Sequence, residues 1–87
     1  MEHRKFYKQV EIVNTMNGVL INSIVLRDVQ AWQNSAESWD IFTTDNQEII
    51  TTIDMGIVSN ELINEDGDCL YLYLDLAVLH QEYSWAL

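Results

Sequence analysis

Apolar and polar residues alternate with a period of two through much of this chain, the signature of strands with one covered face. From Phe6 to Val13 the alternation puts Phe6, Lys8, Val10 and Ile12 on one side and Tyr7, Gln9, Glu11 and Val13 on the other. Asn17-Gly18 follows, and because both residue types tolerate positive φ the pair predicts a tight hairpin turn. Val19 to Leu26 then reads as the second strand, an apolar run interrupted by Asn22-Ser23. The clearest strand is Cys69 to Leu76. It directs Leu70, Leu72, Leu74 and Leu76 to the core and Cys69, Tyr71, Tyr73 and Asp75 to the opposite face.

The intervening segments are less regular. Asp28 to Ser38 reads as a short helix capped by Asp28, with Val29 and Trp32 on one face, or as a loop that packs Trp32 over the core. Trp39 to Thr44 and Gln47 to Ile53 read as a strand pair joined at Asp45-Asn46. Asp54-Met55-Gly56 makes a further turn into Ile57-Val58, and Ser59 to Ile63 is irregular or a short strand. Asn64 to Asp68 is a polar loop. Val78 to Leu87 offers Val78, Leu79, Tyr83 and Trp85 for docking, as helix or as strand. The pattern predicts one domain spanning residues 1–87, all-β or β-rich α+β. Its core would be a single, mainly antiparallel sheet of five or six strands with at most one or two short helices.

Composition supports a folded chain. The 87 residues contain no proline, three glycines and 48% hydrophobic residues, too apolar for a disordered acidic tail. No apolar run approaches the roughly 20 residues of a membrane-spanning helix, and the segment Met1 to Phe6 is not followed by the apolar stretch of a secretory signal. A cytoplasmic location without a membrane partner is expected. A domain this small, with one cysteine and hence no internal disulfide, is often helped by oligomerisation, which leaves a homodimer open.

Charge is the unusual feature. Fourteen acidic residues face four basic ones, for a net charge of −10. All four cations, Arg4, Lys5, Lys8 and Arg27, precede Asp28, and the remainder of the chain holds acids alone. Phosphate contacts require Lys or Arg, so direct nucleic-acid binding is disfavoured. A basic protein surface is favoured, such as the groove of a nucleic-acid-handling enzyme. Spread evenly over roughly 5,300 Å², the acids would give an interface of about 800 Å² only about two charges. Mimicry of a phosphate backbone therefore needs clustering. The sequence offers one cluster, Glu61, Glu65, Asp66, Asp68 and Asp75.

Chemistry-bearing motifs are sparse. The acidic loop does not have calcium-loop spacing: with Gly67 at the required glycine position, the first ligand position falls on Leu62 and the last on Tyr73. His3, His80 and Cys69 form no recognisable nucleophile or zinc signature. No phosphate-binding glycine loop or paired-histidine helix is present. The expectation is a non-enzymatic, cofactor-free and metal-free acidic binding protein, inhibitory in character. It would occupy the basic surface of a nucleic-acid-binding partner through Glu61, Glu65, Asp66, Asp68 and Asp75, with Tyr71 and Tyr73 as aromatic anchors. The alternative is a structural subunit of a β-rich homo-oligomer whose acidity serves solubility.

Overall fold

The computed structural model describes residues 4–35, 37–45 and 48–79. Six strands form one sheet: β1 (Lys5–Met16), β2 (Val19–Asn34), β3 (Ser38–Thr43), β4 (Ile49–Asp54), β5 (Val58–Ile63) and β6 (Cys69–Asp75). Their spatial order is β4-β3-β2-β1-β6-β5. The sheet is mixed where a mainly antiparallel one is expected, because β6 runs parallel to β1, pairing Val10 with Leu70 and Ile12 with Leu72. The other four pairings are antiparallel.

The expected first hairpin forms, with Asn17 at φ 53° and Gly18 at φ 78°, the paired left-handed positions of a two-residue turn. Its second strand runs much further than the pattern suggests. Residues 28–34, expected as a helix or loop, continue β2 and pair with β3. Asp28, the expected helix cap, sits inside the strand at φ 53°, a region that Asp and Asn enter more readily than other non-glycine residues.

The pleat breaks at this level in both central strands. The amides of Lys8 and Gln9 both donate to the Asp68 carbonyl, at 2.8 and 3.4 Å, so two successive residues turn the same way, while the β1–β2 register stays unbroken because Lys8 and Asp28 drop out of the pairing together. Tyr7 therefore joins Val10 and Ile12 in the core instead of facing away from them. Phe6, expected beside Val10, is 48% exposed while Tyr7 is 3% exposed. In β2 the left-handed Asp28 lies between Leu26 and Val29, and both of these pack on the same cluster.

The core is built from Tyr7, Val10 and Ile12 of β1, Val29 and Ala31 of β2, Trp39 and Ile41 of β3, Ile53 of β4, and the expected leucines Leu70, Leu72 and Leu74, with Leu76 at its margin. A single sheet can enclose such a core only by curling, and two observations require it. β4 and β5 are the outer strands, yet only the 3₁₀ turn Met55–Ile57 joins them. Five strand spacings of a flat sheet come to about 24 Å, whereas four residue steps reach about 14 Å. In addition, the Trp39 Nε1 on β3 donates to Glu61 Oε1 on β5 at 3.1 Å, across four strand steps that would span about 19 Å if flat. The sheet is thus a curled half-barrel open between β4 and β5. Asp54 stabilises the crossing by accepting the Gly56 amide at 2.7 Å. Residues 77–79 begin a helical turn, with Asp75 accepting the Ala77 amide at 3.0 Å.

Truncation of Leu72, which is fully buried, should lower the unfolding free energy by about 2–5 kcal/mol, measured by urea denaturation. At Asp28 the backbone predicts a different response. Asp28→Gly should be neutral or mildly stabilising, and Asp28→Val should cost about 1–2 kcal/mol, because a β-branched residue is strained at φ 53°. Equal stability of the two variants would show that residue 28 does not sit in the left-handed region.

Candidate functional site

The five clustered acids of the sequence do not form one patch, because three of them serve the fold. Glu61 lies on the core side of β5, where its carboxylate accepts the Trp39 indole N–H. It also faces Tyr7, whose phenol is pushed up by burial and, secondarily, by the Glu61 charge. Asp75 lies at the far end of β6 and caps the turn at Ala77. Asp68 is tied into the loop that precedes β6.

That loop is organised by Asn64, which its sequence did not single out. The Asn64 Oδ1 accepts the Asp68 and Cys69 amides, both at 3.0 Å, and its Nδ2 donates to Asp68 Oδ1 at 2.7 Å. Gly67 takes φ 74° to close the turn. The Asn64 bond, assisted by the Cys69 side chain and the Lys8 charge, holds the Asp68 carboxyl below the usual aspartate range against partial desolvation. Lys8 Nζ stands 3.6 Å from Asp68 Oδ2 with its own side chain 72% exposed, so solvent leaves this pair little energy. The Cys69 thiol is pushed up by desolvation and by Asp68 beside it, the opposite of the shift that activates a cysteine nucleophile. Of the cluster, Glu65 and Asp66 remain exposed at the loop's outer edge and are not engaged in the bonds that hold the other three.

Tyr71 and Tyr73 are half-buried on the face of β6 that points away from the core. Leu62 and Tyr71 face each other across the β5–β6 pairing. Beside them Glu11, Val13, Thr15, Leu20, Asn60 and Tyr73 line an open groove of about 560 Å³ on the same outer face. A smaller hollow of about 340 Å³ lies among Leu62, Ile63, Asn64, Tyr71 and Tyr73. This outer face therefore unites the two tyrosines with Glu11, while Glu65 and Asp66 lie in the loop that enters β6. His3, His80, Tyr83 and Trp85 lie outside the described residues. Among the described residues no group of three or more His, Cys, Asp or Glu is placed to hold a metal ion, and no helix is long and apolar enough to cross a membrane.

The molecule divides into two chemically different parts. Its body exposes Glu37, Asp45, Glu48, Asp54, Glu65 and Asp66. The projecting end of the β1–β2 hairpin has no charged residue from Ile12 to Leu26 and exposes Met16, Val19, Leu20, Ile21, Ile24 and Val25. Sequence reading treated this segment only as a strand. The available signal was that Val19–Leu26 is apolar on both faces, which period-two logic assigns to a strand covered on both sides.

These features define a small, curled, mixed β-sheet with an acidic body and an apolar arm. No family model matches the chain, and neither a curated protein nor a solved structure matches it.

Replacing Asn64 with Ala should lower stability at neutral pH by about 1–3 kcal/mol, since it strands two amides and frees the Asp68 carboxylate. The pH dependence follows from the lowered Asp68 pKa. Its contribution is complete above the unfolded aspartate value of about 3.9 and is lost as pH falls through the lower folded value. The gap between urea midpoints of the native chain and Asn64→Ala should therefore narrow from pH 7 to pH 2, leaving at the acid end the part owed to the two amides. A constant gap across that range would mean that the Asp68 carboxylate contributes nothing.

Proposed function

We propose that this chain is a non-catalytic protein-binding domain whose acidic body occupies a basic surface of a partner that itself handles nucleic acid. The observation that carries the reading is the segregation of charge. Exposed carboxylates populate the body and its loops and outnumber its cations, which are Arg4, Lys5 and Lys8 at the start of the chain, the two lysines beside the Asn64–Asp68 loop, and Arg27 in the middle of β2. A one-sign field of this kind raises the encounter rate with a positive surface and repels nucleic acid itself.

Within the body, the outer face of β6 and its entry loop is the best-supported contact. Glu65 and Asp66 supply unengaged charge, and Tyr71 and Tyr73 supply aromatic area beside a groove that also exposes Glu11. Glu61, Asp68 and Asp75 take a smaller part in this reading, because their carboxylates already hold Trp39, the Asn64 loop and the Ala77 turn. Binding there would inhibit by competing with nucleic acid for the partner's groove. Cytoplasmic action fits such a partner.

The test is a host lysate passed over immobilised protein at low salt, with elution by a salt gradient. The retained partner is then measured for association rate and for displacement by duplex DNA. The double charge reversal Glu65→Lys with Asp66→Lys should slow association about tenfold at low salt, with little effect at about 500 mM, where screening shortens the Debye length below about 5 Å. Thermal stability should not change. Binding that ignores both the reversal and DNA competition would refute the reading.

A further inference from the structure

We propose that two copies of this chain pair through the free edge of β2, antiparallel across Val19–Arg27, to form a two-fold dimer. β3 covers only the distal half of β2, from Val29 to Asn34. On its other side, β1 pairs with β2 along nearly the whole strand, from Val19 to Ala31. The edge from Val19 to Arg27 therefore presents nine residues whose outward backbone N–H and C=O groups have no neighbouring strand among the described residues. Edges of this kind are ordinarily blunted by charge, proline or a covering element. None of the nine residues is a proline, and the sole charge is Arg27 at one end; the one irregularity is a shift of the β1–β2 register that leaves Ile21 as an extra residue on β2.

The side chains on this edge reinforce the point. Val19, Leu20, Ile21, Ile24 and Val25 keep between 41% and 67% of their surface exposed, on both faces of the strand. Their combined apolar area is on the order of 500 Å², at the upper end of the largest patch on a typical monomer. Two such patches total about 1,000 Å² of exposed apolar area, of which edge-to-edge pairing covers the part along the shared edge, as in a weak, concentration-dependent interface. The new ladder would add about six backbone hydrogen bonds, since the irregularity at Ile21 interrupts it in each copy, a number within the range for an interface.

Electrostatics selects a second copy as the occupant. Each chain carries −10, so apposing two acidic bodies is strongly unfavourable, whereas the arm has no charge from Ile12 to Leu26 and keeps the bodies apart. The sequence is also self-complementary there. A register centred on Ser23 sets Leu20 opposite Leu26 and Ile21 opposite Val25, and it sets Arg27 and Asp28 against the uncharged Val19 and Gly18. Because the arm lacks carboxylates, this dimer does not depend on the acidic-body reading, and either can fail alone.

Sedimentation equilibrium of the full chain from about 1 to 100 μM should give twice the 10.1 kDa chain mass. The single variants Ile21→Lys and Ile24→Lys should each weaken association at least tenfold without lowering the thermal stability of the monomer, because both side chains are exposed. Ile49→Lys, on the exposed outer strand β4, should leave the dimer intact. In a Cys69→Ser background, Ser23→Cys should form a disulfide-linked dimer on mild oxidation, as a residue on the axis must. A monomer at 100 μM overturns the proposal, whether the arm is then met by residues 80–87 or by another protein. So does a dimer indifferent to both lysine variants, or growth into species larger than two chains.

Discussion

Three residues, Met55–Ile57, constrain this fold more than any other feature, because they tie together the two outer strands of a six-stranded sheet. A flat sheet cannot satisfy so short a link, so the sheet must curl. Curling brings the inward side chains of five strands, from Tyr7 to Leu74, into one cluster. It also carries Glu61 round to the Trp39 indole. The pleat reversals at Lys8–Gln9 and at Asp28 lie opposite each other, where both central strands break their alternation together.

The curl also explains why the two ends of the molecule differ. Core packing is confined to the part of the sheet that the link draws closed. The distal β1–β2 hairpin extends beyond β3, which reaches only to Val29, and the molecule is correspondingly elongated, 41 × 25 × 19 Å. Apolar residues placed on that extension stay exposed among the described residues. Acids, in contrast, accumulate on the body's turns and outer strands, where water solvates them. An acidic body and an uncharged arm are two surfaces with opposite requirements, one for a cationic partner and one for an apolar partner with strand edges of its own.

Much of this was legible in local pattern. The turn at Asn17-Gly18, the leucine face of β6 and the β3–β4 pair all follow from residue types and a period of two, which depend on neighbours only a few positions away. The site was less legible. Glu61, Glu65, Asp66, Asp68 and Asp75 are close in sequence, but strand alternation and loop geometry send their carboxylates to different places. Tyr7 was assigned to the wrong face because the pleat reverses at Lys8 and at the left-handed Asp28 opposite it, and nothing in Lys8-Gln9 announces it.

Composition and local order by themselves determined a β-rich domain, its first turn, its central leucine strand and a negative charge without nearby compensation, because these depend on side-chain chemistry and backbone preference alone. The tertiary structure decided the parallel placement of β6, the continuation of β2 through residues 28–34, the internal employment of three acids and the unpartnered edge of Val19–Arg27. Each of these turns on which strand lies beside which, and strand adjacency is set by long-range closure of the sheet rather than by any local sequence signal.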